Sequence, residues 1–280
     1  MLHLPPAVPV ATSEDLERLR QGIADQAVPS KKLDHNLLIA TWNLRAFGGL
    51  TQKWQSGPGD SPLRDLHSLA VIAEIVSHFD VVAIQEARET LSALRHMLKM
   101  LGPEWGLILT DVNQGERGNG ERMAFVFDTR RVKPSGLAGE LVVYVDPGQD
   151  ETADPLVLRE QFARTPYAVS FISGTQTFIL VTLHVVWGTA PADRLPELRG
   201  IADWLADWAT RTSDEYNQNL ITLGDFNIED PEDETFLAFP PAVSALRPSS
   251  PICRGRSSRG PTRITSTTRS RGSPRGRERS

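Results

Sequence analysis

The sequence predicts a layered α/β or α+β sandwich, and three observations carry that prediction. Short apolar runs rich in β-branched and aromatic residues recur along the chain, bounded by polar residues or glycine, as buried strands are. Segments with apolar positions at three- and four-residue spacing fall between some of these runs, as amphipathic helices do. Other neighbouring runs, such as 167–172 and 177–184, are separated only by the turn residues SGTQ. That is hairpin spacing, not the helix-crossover spacing of a regular βαβ repeat.

The elements follow in order. Residues 1 to about 35 open Pro-rich and then give a helix from Glu14 to about Ala27. Thr12 or Ser13 is its N-cap, and Leu16, Leu19 and Ile23 share one face; the stretch reads as an N-terminal extension. Residues 36–44, NLLIATWNL, form a buried strand that stops at the polar Asn43, before the break at Gly48 and Gly49. From Pro62 to Phe79 the positions Leu63, Leu66, Leu69, Ile72, Ile75 and Val76 mark an amphipathic helix, and 80–86, DVVAIQE, is a second buried strand. A helix over Leu91–Leu101 and a strand over Trp105–Thr110 lead into GERGNGER. Its glycines 115, 118 and 120 fit neither nucleotide-binding fingerprint and no Lys-Ser/Thr pair follows, so it is a hairpin loop. Strands are expected at 123–128, 140–145, 167–172, 177–184 and 219–228, with a helix from about Arg194 to Ala209.

Bulk composition excludes several classes. The longest strongly apolar run, Phe178 to Trp187, holds His184 and falls well short of the roughly 20 residues that span a bilayer. The N-terminus lacks the basic, long-apolar and small-residue sequence of a classical signal peptide, and Cys253, the single cysteine, excludes an internal disulfide and a Cys-rich zinc site. A cytoplasmic protein is expected. The formal charge of −5 hides two unlike regions. Residues 247–280 hold ten arginines and one acid, Glu278, so a tail of +9 follows a body of −14. Thirty of those 34 residues are Arg, Ser, Thr, Gly or Pro, too few apolar groups to offset the entropy of ordering the segment.

Polar residues recur where the buried strands stop: Asn43 after LLIATW, Glu86 after DVVAIQ, His184 after FILVTL, and Asp225 with Asn227 after LITLG. Taken singly, each reads as readily as a strand cap or a solvated loop residue. Strand ends on one edge of a sandwich converge, however. Two carboxylates, two amides and an imidazole gathered there make a hard-oxygen cation site beside a proton-transfer group. That set suits phosphodiester hydrolysis, where a divalent ion neutralises phosphate charge and helps generate hydroxide.

The strings TWNLR, AIQEAR, TLHVVWG and GDFNI, in this order and spacing, resemble the endonuclease/exonuclease/phosphatase family, most closely its deoxyribonuclease I-like branch. The resemblance covers roughly 36–235. It implies an α+β fold, a four-layer α/β/β/α sandwich of two mainly antiparallel sheets with the active site at one edge. It further implies that Glu86 is the principal Mg²⁺ ligand (Mn²⁺ substituting), with Asn43 beside it on the metal or the phosphate. Asp225 and Asn227 would orient the attacking water, contact the phosphate or hold a second ion. His184 would be the general acid, paired with Glu121 of a short Glu-Arg segment, and Arg164 would contact phosphate through its guanidinium. From the residues alone, Glu121 reads equally as a loop acid and Arg164 as a surface charge. The implied reaction is hydrolysis of a nucleic acid, DNA first, or of another phosphoester on a small molecule or lipid. Arg88, Arg95, Lys99, Arg122, Arg130 and Arg131 are candidates to draw an anionic substrate to an acidic body.

One family motif is missing. The resemblance implies a closing Ser-Asp-His triplet whose Asp and His form a second acid/base pair. The six histidines stand at 3, 35, 67, 78, 96 and 184, and none follows GDFN. The chain after about Ala242 reads as a GC-rich gene translated out of frame, so the closing strands are expected to be incomplete. The competing reading is a basic tail that binds nucleic acid through phosphates, in which case the chain is an inactive binding protein. The domain division expected is 1–35, 36–240 and 241–280.

Overall fold

The computed structural model describes residues 2–26, 28–33, 35–113, 119–142, 161–215, 219–230 and 234–238. The Arg-rich segment 247–280 lies outside them.

Among the described residues, eight strands form two sheets. The first contains β1 (Ile39–Phe47), β2 (Val81–Arg88), β3 (Trp105–Leu109) and β4 (Glu121–Asp128) in the order β1-β2-β4-β3. The second contains β5 (Lys133–Glu140), β6 (Tyr167–Ser173), β7 (Gln176–His184) and β8 (Asn219–Asp225) in that order. The pairs β1-β2 and β7-β8 are parallel, whereas β2-β4, β3-β4, β5-β6 and β6-β7 are antiparallel. The sheets are therefore mixed, with antiparallel pairing in the majority. Among the described residues, β1 and β8 are outer strands of their sheets and lie against each other.

Three apolar clusters separate four layers. Helices α1 (Val10–Asp25), α2 (Leu66–Ser77) and α3 (Ser92–Leu101) cover the outer face of the first sheet, with Leu16, Leu69, Ala73, Leu94 and Met97 packed on Val82, Ile84, Ala124 and Val126. Between the sheets, Phe125, Phe127 and Phe171 meet edge to face at centroid distances of 5.7 and 5.3 Å, alongside Val81, Ala83, Val169 and Leu180. On the far side α4 (Leu195–Glu215) lays Leu198, Ile201 and Leu205 on Ile179, Val181 and Leu183. Residues alternate between these clusters along β2 and β7, because a strand covered on both faces needs apolar side chains at every position. Burying each large side chain contributes about 1.5–3 kcal/mol.

Several elements depart from the sequence reading. Helix α1 begins at Val10 and its N-cap, Pro9, makes no side-chain cap. Thr12 lies inside the helix with its hydroxyl 3.0 Å from His67 Nδ1 on α2, and Arg20 makes a bidentate pair with the buried Glu74 at 3.0 and 2.8 Å. Residues 10–25 are thus packed on the domain. Helix α2 starts later than expected because Asp65, not Pro62, caps it by accepting from Ser68 N–H at 2.8 Å. Strand β1 runs past Asn43 to Phe47 through a bulge. The fifth strand is 133–140 instead of 140–145, and residues 143–145 lie outside the described set. Its sequence, KPSGLAGE, is exposed and has little strand propensity. It lies at a sheet edge, where a proline is tolerated. A 3₁₀ turn at Pro191–Arg194 precedes α4, and a short α5 (Glu234–Ala238) follows β8.

Candidate active site

Strand direction assembles the site. Parallel pairing places the C-terminal ends of β1 and β2 together and those of β7 and β8 together, and the faces of the two sheets bring both pairs to one edge. Because β4 runs antiparallel to β2, its first residue, Glu121, stands opposite Arg88. Because β6 runs antiparallel to β7, the segment before it brings Arg164 to the same edge.

Asn43 is the hub. Its Nδ2 donates to Glu86 Oε1 and to Asp225 Oδ2, each at 2.9 Å, while its Oδ1 accepts from Arg45 N–H at 2.9 Å. The amide protons stand where a cation would shield the two carboxylates from each other. Glu86 lies in irregular register with both neighbouring strands, at φ 61, a conformation that costs a non-glycine residue about 1 kcal/mol or more. The bulge of β1 compensates. Arg45 and Ala46 are also left-handed, at φ 35 and 51, which aims Ala46 N–H at Glu86 Oε2, 2.8 Å away. The half-buried Arg64 fixes that bulge from beneath, donating to the carbonyls of Leu44, Arg45 and Ala46 at 2.8–2.9 Å with its guanidinium over the Phe47 ring.

His184 and Glu121 form a buried pair, 6% and 2% exposed. His184 Nδ1 is 2.9 Å from Glu121 Oε2, which fixes the proton on Nδ1 and leaves Nε2 facing Asp225 Oδ2 at 3.9 Å. Glu121 also accepts from Arg164 Nε at 2.6 Å and from Asn119 Nδ2 at 2.8 Å. Burial opposes its ionisation, but the hydrogen bond from His184 and the charge of Arg164 outweigh burial and hold its pKa at about 2. Arg88 bridges the two halves, 3.7 Å from Glu86 and 3.5 Å from Glu121.

The GDFN turn has a steric explanation. Gly224, at φ 146, pairs with Leu183, and a Cβ on it would lie 2.1 Å from the Leu183 carbonyl oxygen. Only glycine lets β8 come this close to β7. Asn227 adopts φ 52, accepts no strain beyond that common for asparagine, and donates Nδ2 to Val185 O at 2.6 Å.

All seven residues named from the sequence therefore stand at this edge. The chemistry of the donors fits a hard divalent cation: the partly exposed Glu86 and Asp225 offer carboxylate oxygens. The tightest acid/histidine group among the described residues is Glu86, Glu121 and His184, with one atom of each within 4.8 Å of the others. Glu121 is engaged by His184, Arg164 and Asn119, whereas Glu86, which accepts from Asn43 and Ala46, is the more exposed of the two carboxylates. Asn43 would serve as a ligand only with its carbonyl turned towards the carboxylates.

The profile of the Endonuclease/Exonuclease/phosphatase family matches residues 40–279. The chain belongs to that family. A deoxyribonuclease of Thioalkalivibrio sp. (strain K90mix) is 31% identical over 201 residues, covering 69% of this chain and 46% of the relative. Deoxyribonuclease-1 of Bos taurus is 25% identical over 205 residues, 71% of this chain and 63% of the relative. The chain thus spans about half to two thirds of the length of these two relatives. Among solved structures, a mannosyl-6-phosphatase of Bacteroides thetaiotaomicron VPI-5482 aligns with TM-score 0.48 and 19% identity over 73% of this chain and 70% of that one.

Other residues that hold this edge together lie outside the seven. Gln85, 1% exposed, donates to Thr41 Oγ1 at 3.0 Å and Thr182 Oγ1 at 2.9 Å, tying both sheets together one residue before Glu86. The buried Glu197 of α4 accepts from Ala163 N and Val186 N at 2.7 and 2.8 Å, anchoring the segments beside Arg164 and His184. Their signal is a polar residue inside an otherwise apolar helix face or strand. Of the six basic candidates, Arg88 joins the site. Arg122 turns to Thr110 O, while Arg130 and Arg131 pair with Asp128 and Asp80 at the opposite ends of the strands. Arg95 and Lys99 lie on α3 in the outer helical layer.

Proposed function

We propose that the chain is a divalent-cation-dependent phosphodiester hydrolase whose substrate is DNA. The observation that carries this reading is the single amide of Asn43 bound to both Glu86 and Asp225, with the His184–Glu121 pair on the far side of Asp225. The two relatives named deoxyribonucleases support the choice of substrate.

In this reading Glu86 and Asp225 would hold Mg²⁺ or Mn²⁺, and Asn43 would lie beside it. When bound, the ion neutralises phosphate charge and makes water more acidic. Glu121 keeps His184 Nδ1 protonated, and His184 Nε2 exchanges a proton with a reacting oxygen lying between it and Asp225. Arg164 Nη1 is buried and has no hydrogen-bond partner among the described residues, so a phosphate oxygen is the natural acceptor for it. Asn227 holds the GDFN turn against Val185 and orients Asp225 through its own N–H, which donates to Asp225 Oδ1 at 3.1 Å.

Cleavage of plasmid and of single-stranded DNA, in Mg²⁺ and in Mn²⁺, tests the reading on two variants. Glu86→Ala should abolish cation-dependent cleavage, and deletion of 247–280 should preserve it. Cleavage that survives Glu86→Ala, or DNA binding without cleavage that disappears only with the tail, would overturn it.

A further inference from the structure

Three residues beyond His184 the chain presents Trp187, a residue 47% exposed. An indole left in water beside a polar site forgoes the burial that aromatic side chains ordinarily gain, so its position calls for a reason. The ring is not loose. The Arg194 guanidinium lies 4.1 Å from its centroid, while Arg194 Nε donates to Trp187 O at 2.8 Å and Nη1 donates to Asn227 O at 2.6 Å. The Arg194 side chain is itself buried, 3% exposed, and stands 3.6 Å from Glu229. One face of the indole is thus backed by a fixed cation that also grips the GDFN turn, and the exposure belongs to the rest of the ring. Gly188, at φ 68, turns the chain away immediately afterwards, and a Cβ there would meet Asp193. Nothing among the described residues needs an exposed ring here for packing: the adjacent cluster under α4 closes with Val185 and Leu198.

We propose that Trp187 is a stacking platform for an unpaired nucleobase, and that the substrate is a single strand or an unpaired end. This inference rests on the nucleic-acid reading above and narrows it. A flat aromatic surface held rigid by a guanidinium behind it recognises the π-face of any base, which is how sequence-tolerant single-strand binding works. The bases of an intact duplex are stacked on one another and cannot reach such a surface. The backing cation faces the ring and not the phosphate, because the guanidinium is buried and directed to Trp187 O, Asn227 O and Glu229. Phosphate contacts fall instead to Arg164 and Arg88, and the base contact to Trp187.

The test uses the full chain carrying Glu86→Gln, which cannot turn over its probe, with far-UV circular dichroism to establish folding. Fluorescence anisotropy compares a labelled oligothymidylate with an abasic strand of the same length and with the corresponding duplex. The Arg-rich tail meets the same phosphates on both single strands, so it cancels in that comparison. The chain should bind the base-bearing strand roughly tenfold more tightly than the abasic one, within the range of one stacked base. Trp187→Leu, similar in apolar character but without a π-face, should erase that preference, and Trp187→Phe should retain most of it. Equal affinity for the two single strands, tighter binding to duplex, or a preference that survives Trp187→Leu would overturn the proposal. If Trp187→Leu does not fold, Trp187→Phe decides: loss of the preference with an intact ring overturns it. Cleavage by the chain with Glu86 restored is scored separately. A base preference without cleavage refutes the hydrolase reading alone, and cleavage without a base preference refutes the platform alone.

Discussion

Glu121 stands directly opposite Arg88 in the antiparallel ladder of β2 and β4, so the carboxylate that orients His184 and the strand that carries Glu86 share one register. The Glu86 side and the His184 side of the site are thereby set by the same backbone pairing. Shifting that pairing by one residue would turn every side chain of β4 to the opposite face and disconnect both halves at once.

Replacing Glu121 by Gln should lower kcat by roughly 10²-fold, because His184 loses the acceptor that fixes its Nδ1 proton. The same variant has a pH signature. The folded-state pKa of Glu121 is depressed to about 2 against an ordinary value of 4.5, so its ion pairs stabilise the fold fully above pH 4.5. That contribution, about 3 kcal/mol at most, is lost as pH falls from 4.5 towards 2. Urea unfolding at stepped pH should show wild type and variant converging over that window, and parallel curves would refute the assignment.

Glu86→Gln should abolish calorimetric binding of Mn²⁺ while leaving the melting temperature unchanged or raised. The substitution removes one of the carboxylates crowded around Asn43, and sites built for function commonly sacrifice stability in this way. A marked loss of thermal stability would show that Glu86 is a structural acid.

Arg64 touches none of the reacting groups, yet it holds the three carbonyls whose N–H neighbours grip Asn43 and Glu86. Arg64→Ala should weaken Mn²⁺ affinity by about tenfold and lower kcat similarly, leaving KM less affected. Arg64→Lys, whose three donors sit on one nitrogen instead of a planar fork, should recover only part of that loss. An unchanged cation affinity would assign Arg64 to folding alone.

Gly224→Ala should destabilise the chain by about 2 kcal/mol or more, since a methyl at φ 146 runs into the Leu183 carbonyl. The urea midpoint measures it directly, and wild-type stability would contradict the packing of β8 on β7 described here.

Much of this site was legible because of how buried strands are written. β2 and β7 are covered on both faces, so they read as unbroken apolar runs, and the polar residues that end them stand out. Glu121 and Arg164 were harder to read. They lie where strands begin, and only antiparallel pairing reveals that a beginning there adjoins an ending. Arg64, Gln85 and Glu197 act through backbone groups or across the two sheets, a role with no sequence period. β5 escaped because an edge strand needs neither apolar alternation nor a full set of donors. The N-cap of α1 was misplaced because Thr12, a favourable capping residue, is committed to His67 instead.

The contrast between β5 and β8 has a consequence for handling the protein. Pro134, Gly136 and Gly139 interrupt the outer rim of β5, which makes it a poor template for another chain. β8, NLITLGD, has no proline, and among the described residues no strand pairs with its outer side. No proline blunts that side of β8, so a variant that loosens β8 from β1, against which it lies, should self-associate through 219–225 more readily than one that loosens β5.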